Sequence, residues 1–427
     1  MTIPSIKRAW LLAAVATGLG ACSDADDKPT NVERGDAGDG GTSAEVAPAA
    51  AGRPFPKGLA VVNSDRMTTT ISLVGLGGTS VATDKCIGSG SATAQLSAAL
   101  SGDVVLPSQT QPGNELVVID RKNGVLTWVD PTTCQVRRQL NAGSGWASNP
   151  HELVGGLPDG KGYITRQGRN PARSDEGSDV LVIDTARAEA KGRIDLRPWA
   201  TPSETPGKTI LPFPSRAVAI GDRVYVALNN LSDDYAAAGA GRVVAIDAAR
   251  DTVVQAIELP GLKNCGTVEA VRLGDGSDAL AVSCGGPYSD GDKQIDSSGV
   301  AWLNLAKSPP EVSIVRAAGF GRPVSSFDLV VLEPKAAFTV INGDGMMVND
   351  AVWGFDFTSA GGAPRKVFDG SSSYVLAIAG DATRNTLYVL DATKAQPLVH
   401  VLNAEGTKTA SFASSSSGLP PRTLALY

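Results

Sequence analysis

A closed all-β ring of seven four-stranded sheets, a seven-bladed β-propeller, is what this 427-residue sequence predicts, and three observations carry the prediction. The first is self-similarity. GNELVVIDRKNGVLTWVDPTTCQVRRQL (113–140) recurs loosely as SDVLVIDTARAEAKGRIDL (178–196), GRVVAIDAARDTVVQAIEL (241–259) and SGVAWLNLAKSPPEVSIVRA (298–317). A period of roughly 50 residues marks a repeat architecture in which no unit buries its own face alone. The second is composition: glycine is abundant and helix-favouring runs of Glu, Lys, Leu and Gln are almost absent, as expected of short strands joined by tight turns. The third lies at the two ends of the repeat region. GLAVVNSDRMTTTISLVGL (58–76) and a strand near Thr79–Cys86 supply strands B, C and D of a first blade but no A, whereas PRTLALY (421–427) reads as a lone A strand. The last segment then completes the first blade. A ring closed this way has no exposed sheet edge, and an open array would have two.

The elements follow in order. The second blade covers Gln95–Leu140, with an ill-defined first strand near Asp103–Leu106. The third parses as HELVGG (151–156), GYITRQG (162–168) after the turn Pro158-Asp159-Gly160-Lys161, DVLVID (179–184) and GRIDL (192–196). The fourth is RAVAIGDRVYVALNN (216–230) followed by residues 241–259. The fifth runs from Gly266 to Ala317, the sixth from Ser326 to Gly370 and the seventh from Ser373 to about Ala413. Alternating apolar residues and Gly/Asp turns make each a run of hairpins. NPHELVGGLPDGKGYITRQG, GNELVVIDRKNGVLTWVDPTT and GRVVAIDAARDTVV resemble the repeats of YncE-like, YVTN-type seven-bladed propellers. The resemblance spans most of residues 56–427 and is concentrated in blades 2 to 4. Blade 6 departs from it with Glu333-Pro334-Lys335 in place of the Asp-Gly turn, and blade 5 is stretched. It implies a fold rather than an activity, because members of such families differ in function.

Residues 1–21 read as a targeting segment, with Lys7 and Arg8 before an apolar stretch, Ala9–Leu19, too short to span a bilayer. Leu19-Gly20-Ala21-Cys22 resembles the lipobox of bacterial lipoproteins; the alternative is an ordinary cleavage site beside a chance cysteine. The resemblance implies an acylated Cys22 and a membrane anchor to which each buried CH₂ contributes about 0.8 kcal/mol. Ser23 after that Cys implies, by the same resemblance, the outer membrane, with the protein facing the periplasm or the cell surface. Residues 22–55, rich in Asp, Gly, Ala, Ser and Pro, form no core and read as a tether spanning on the order of 30 Å. Four further cysteines suggest disulfides in an exported domain. Cys265 and Cys284 flank a hairpin that would set them opposite each other, and Cys86 and Cys134 fall on the outermost strands of adjacent repeats. Buried free thiols are the alternative for both pairs.

One face is expected to be elaborated. The A–B turns are tight (Pro158–Lys161, Gly221-Asp222, Gly274–Asp278), whereas long B–C connections (Gly168–Ser178, Asn229–Gly241, Gly285–Ser298) and D–A connections (Asn141–Asn149, Arg197–Ser215, Ala317–Ser325) share the opposite face. Long loops of this kind are functional or disordered. They carry Trp146, Trp199, Phe213, Tyr235, Tyr288 and Phe320, which either anchor a partner or fold back over the seams between blades.

Chemistry-bearing residues are scarce. A formal charge of −6 with no basic stripe gives no electrostatic reason to bind nucleic acid. His151, Arg216 and Arg422 stand at the starts of A strands. There they would bind an anion or polarise a carbonyl at the channel mouth, unless they only satisfy loop carbonyls. His400, in LVHVL, reads as packing, and no His pair has zinc or copper spacing. Asp290, Asp292 and Asp296 around Gly291 suggest a loose calcium site or a solvated turn, and Asp344 to Asp350 a second instance. No other cofactor is indicated. The expected function is a binding or scaffold module for a protein or glycan partner; the alternative is a lactonase- or hydrolase-type enzyme at the channel mouth.

Overall fold

The computed structural model of the protein describes residues 56–76, 81–143, 145–344, 347–359, 362–370, 372, 376–392 and 398–427. The targeting segment, Cys22 and the tether lie outside the described residues. From Lys57 onward the chain alternates extended strands with turns at residues such as Asp159 (φ 61°) and Gly276 (φ 81°), where a left-handed backbone reverses direction in the least length. The strands form seven four-stranded antiparallel sheets. Written from the innermost strand A outward, blade 2 is Val104–Val105, Leu116–Asp120, Val125–Val129 and Val136–Asn141. Blade 3 is Pro150–Val154, Lys161–Arg169, Gly177–Asp184 and Glu189–Ile194. Blade 4 is Pro214–Ile220, Arg223–Leu228, Ala240–Asp247 and Thr252–Lys263. Blade 5 is Cys265–Arg272, Asp278–Cys284, Gly299–Asn304 and Glu311–Arg316. Blade 6 is Val324–Glu333, Ala336–Ile341, Ala351–Phe355 and Arg365–Asp369, and blade 7 is Leu376–Asp381, Thr386–Asp391, Leu398–Asn403 and Lys408–Ala413.

Blade 1 combines both ends of the described chain. Gly58–Ser64, Thr69–Gly75 and Val81–Gly88 are its strands B to D, and Pro421–Leu426 is its strand A. The joining register sets Leu59 against Leu426, Ala60 against Ala425 and Val61 against Leu424. The Asn63 side chain ties the seam: its amide donates to Ser72 Oγ (2.9 Å) and its oxygen accepts from Ser414 Oγ (2.8 Å) at the end of blade 7.

Among the described residues no single central core forms, as the repeat pattern requires. Instead, successive blades sandwich separate hydrophobic clusters, one at each of the seven junctions around the ring. The B and C strands lie between two neighbouring blades and are buried on both faces, which is why LVVID and VLTWV read as continuous apolar runs. The outer D strands keep one wet edge, so Glu189–Ile194 and Lys408–Ala413 are mostly polar and exposed. A two-stranded ribbon that the sequence does not announce, Ile210–Leu211 with Leu231–Ser232, braces the long loops of blade 4. No helix among the described residues is long and apolar enough to cross a membrane.

Both disulfides form. Cys265 and Cys284 are register partners within blade 5, with Cα atoms 3.9 Å apart. Cys86, on strand D of blade 1, bonds Cys134 (Cα–Cα 4.9 Å); Cys134 sits in the C–D turn of blade 2, not on its outermost strand. Loop-closure entropy predicts unequal losses on their removal. The Cys86/Cys134 double serine variant, opening a span of 48 residues, should lose about 4 kcal/mol of unfolding free energy in denaturant titration. The Cys265/Cys284 variant, with a span of 19, should lose about 3 kcal/mol. An unchanged midpoint in both would mean that packing alone holds the ring.

Candidate functional site: the central channel and the loop face

The A strands converge on a cavity of about 110 Å³, whose polar lining comes from Ser108, Arg216, Thr267, Glu269, Asp328 and Thr423. Their placement follows from the strand period of two. Glu152, Arg216, Thr267 and Thr423 are each the third residue of an A strand, and Glu269 and Asp328 are each the fifth, on the same side. Arg216 is the centre of the arrangement. Its Nη1 donates to the carbonyls of Leu106 (2.8 Å) and His151 (2.9 Å) and to Glu152 Oε2 (3.3 Å). Buried Glu152 also accepts from the Ser108 backbone N–H (3.0 Å).

This corrects the expected trio. Arg216 lines the cavity, whereas His151 and Arg422 do not. The sequence comparison placed them as equivalents, but Arg216 follows Pro214-Ser215 while His151 and Arg422 directly follow Pro150 and Pro421. They are one residue out of phase, and on a strand one residue is the opposite face. Arg422 turns its Nε to the carbonyl of Ser64 (2.9 Å). His151 is buried with Nε2 unpartnered, and burial first, then the charges of Arg121 and Arg216, pushes its pKa well below the usual value. It is neutral near pH 7 and outside the lumen, so it has no general-acid role there. Glu152, Glu269, Asp328 and Ser108 are the residues that sequence reasoning missed. The signal was present as the aligned third and fifth positions. Ser108 comes from an A–B connection in blade 2, residues 106–115, much longer than the tight turns of the other blades.

The lumen is electrostatically unusual. Asp328 keeps some exposure to it, yet protein surrounds the carboxylate, and this loss of bulk water raises its pKa to about 6. A hydrogen bond from Ser325 Oγ (2.7 Å), one from the Ile378 backbone and the Arg216 charge oppose the rise, and Asp350 adds to it. Burial likewise raises Glu152.

The loop aromatics divide in two. Phe213 and Phe320 are 5% and 4% exposed, the first under Tyr235 (centroids 5.6 Å apart) and the second in a cluster with Trp353 and Phe355. Trp146 is half-buried over the Arg166 guanidinium (5.0 Å), which is itself buried against Asp179, and Trp199 packs on the seam between blades 3 and 4. Of the two readings open from the sequence, these four take the second and fold back: Trp199 and Phe320 over seams between blades, Phe213 into a small cluster with Leu211, Leu231 and Ala238, and Trp146 over Arg166. Tyr235 and Tyr288 remain in solvent, at 57% and 64%.

The acidic loop is no cation cage. Tyr288–Ser297 winds into 3₁₀ turns broken at Gly291, which spreads Asp290, Asp292 and Asp296 into solvent. Among the described residues no three His, Cys, Asp or Glu side chains converge to hold a metal. Asp344 and Asp350 brace loops instead, accepting from the backbone N–H groups of Met347 and Val348 and of Gly343 and Leu376. His400 pairs with Ser411 Oγ (2.7 Å) beside Phe368.

No protein-family model matches the sequence, and no curated protein does. Solved structures do match in fold. A hypothetical selenium-binding protein from Sulfolobus tokodaii aligns with TM-score 0.56 at 11% identity, over 87% of this chain and 94% of that one. A putative 6-phosphogluconolactonase from Bacteroides fragilis aligns at 0.52 and 12%, over 87% and 98%. A quinoprotein alcohol dehydrogenase-like protein from Bacteroides thetaiotaomicron aligns at 0.51 and 12%, over 87% and 78%. At these identities the likeness establishes the propeller and nothing of its chemistry.

The raised Asp328 sets a pH dependence. A carboxyl that holds its proton more tightly folded than unfolded favours the fold at low pH and loses that advantage as pH rises through the folded pKa. Thermal unfolding of wild type and Asp328→Asn should therefore diverge between about pH 4 and pH 6.5, the wild type losing stability relative to the variant as pH rises. Parallel curves would mean that Asp328 titrates normally.

Proposed function

We propose that this protein is an exported propeller that works by binding, holding a protein or glycan partner against the face formed by its B–C loops. One observation carries the reading. Of the seven large apolar side chains left in solvent among the described residues, five, Met67 (79%), Tyr235, Tyr288, Met347 (91%) and Val348, lie in B–C connections, those of blades 1, 4, 5 and 6; the other two are Val254 on strand D of blade 4 and Phe327 on strand A of blade 6. Scattered exposed apolar residues are ordinary; the concentration of most of them in one kind of loop on one face is what a recognition surface produces.

The disulfides fit an oxidising compartment, which supports export. Lipidation at Cys22 and outer-membrane placement belong to this proposal on the strength of the Leu19-Gly20-Ala21-Cys22 resemblance. The hydrolase alternative loses His151 and with it the one imidazole placed near the lumen.

The test is crosslinking in intact cells followed by affinity purification of the tagged protein. A Tyr235→Ser/Tyr288→Ser/Met347→Ser variant should keep the wild-type melting temperature and lose the partner. Phe213→Ala should instead cost about 3–5 kcal/mol of stability, as expected of a buried ring. Recovery of the same partner by the folded triple variant would overturn the reading.

A further inference from the structure

The central cavity carries charges that the loop-face reading does not use. Arg216 spends only Nη1 on the protein; among the described residues its Nε and Nη2 make no hydrogen bond. Solvent in the lumen reaches these donors, and a carboxylate can take that solvent's place in a charge-assisted, two-pronged pair with the guanidinium. Among the described residues the only carboxylate in ion-pair contact with Arg216 is Glu152, on the wall behind it. The next two A strands, of blades 5 and 6, bring Glu269 and Asp328 to the same lining, and Asp328 senses the Arg216 charge without touching it. Thr423 and Ser108 add hydroxyls to the lining.

These features narrow the ligand. A simple anion would satisfy Arg216 but would share the cavity with the carboxylates of Glu269 and Asp328. A bare metal ion finds no converging set of ligands and faces the guanidinium. A simple amine would pair with the carboxylates and leave the Arg216 donors unmet. We infer that the cavity is a binding site for a small zwitterion, with a carboxylate on the free donors of Arg216 and an ammonium at Asp328. A cavity of about 110 Å³ suits a compact molecule of the class of glycine or alanine. Leu106, Val330 and Ala379 give the wall an apolar strip for a methyl-sized side chain. Glu152 has a positioning part here: it holds Nη1 and so aims the other two nitrogens into the lumen.

The experiment is isothermal titration of the full-length protein at pH 7.5, where Asp328 is ionised, with L-alanine and glycine as probes and with acetate and methylamine as half-ligands. Saturable one-to-one binding of alanine or glycine is expected, with acetate and methylamine each weaker by about tenfold or more, because each makes only one of the two charge-assisted contacts. Arg216→Gln and Asp328→Asn should each weaken the amino acid by a similar factor while keeping the wild-type circular dichroism spectrum. Should either variant fail to fold, the half-ligand comparison on the wild type decides alone. Absence of binding by both amino acids overturns the proposal. So does methylamine or acetate binding as tightly as alanine, or affinity unchanged in both folded variants.

Discussion

A single segment of six residues determines whether the rest of the molecule exists. Pro421–Leu426 fills the innermost place of a sheet whose other strands were made at the opposite end of the repeat region. Without it, Gly58–Ser64 would expose an unpaired inner edge, and the cluster joining blade 7 to blade 1 would lose Leu424. The same strand supplies Thr423 to Leu426 as one wall of the central cavity. Ring closure, the last inter-blade interface and the lumen therefore depend on one pairing of high sequence separation, whose entropic cost is met only when the intervening blades have stacked.

Buried polar groups set the order in which the blades meet. Strands sandwiched between neighbours cannot send polar side chains to water, so each such group needs a partner within the protein. The partners are on the adjacent blade. Ser64 Oγ donates to Gly102 O (2.8 Å), Gln111 Nε2 to Leu153 O (3.1 Å) and Thr165 Oγ1 to Ser215 O (2.6 Å). Around the rest of the ring, Asn229 Nδ2 donates to Asn264 Oδ1 (2.8 Å), Thr267 Oγ1 to Ser326 O (2.9 Å), the Leu376 N–H to Asp350 Oδ2 (3.1 Å) and Ser414 Oγ to Asn63 Oδ1. Each junction has such a stitch. Hydrophobic contact would tolerate a slipped blade, whereas a misplaced stitch strands a buried donor or acceptor at a cost of roughly 1–3 kcal/mol. The stitches thus fix register where the apolar clusters only supply adhesion.

What the sequence makes legible follows from periodicity. Alternation, Asp-Gly turns and the unmatched end segments read directly as seven blades, because those signals are local and repeated. The lumen was legible in kind but not in phase: matching Pro-His, Ser-Arg and Pro-Arg dipeptides aligned the wrong residues, and a one-residue slip exchanged Glu152 for His151. The aromatics were ambiguous for another reason. Whether a loop ring faces solvent depends on what folds beneath it. Trp146 lies over Arg166 because that guanidinium, buried with Asp179, leaves a cationic face to cover. Tyr235 remains outside because Phe213 already occupies the space under it. No pattern of spacing encodes such contacts between segments tens of residues apart.

The two disulfides fall where the hydrogen-bonded framework is thinnest. Strand A of blade 2 is reduced to Val104–Val105, so the junction next to the closing blade has the shortest inner strand of the ring. Cys86–Cys134 crosses that junction and makes covalent what a two-residue pairing holds only loosely. In blade 5, strand B ends at Cys284, directly before the long excursion through Tyr288–Ser297 that returns to Gly299. Cys265–Cys284 pins strand A to strand B at the mouth of that excursion. The loop can then vary without fraying the sheet beneath it. A propeller that supports large loops on one face and keeps an incomplete inner strand needs reinforcement at those two points, and an oxidising compartment is where cysteine can provide it.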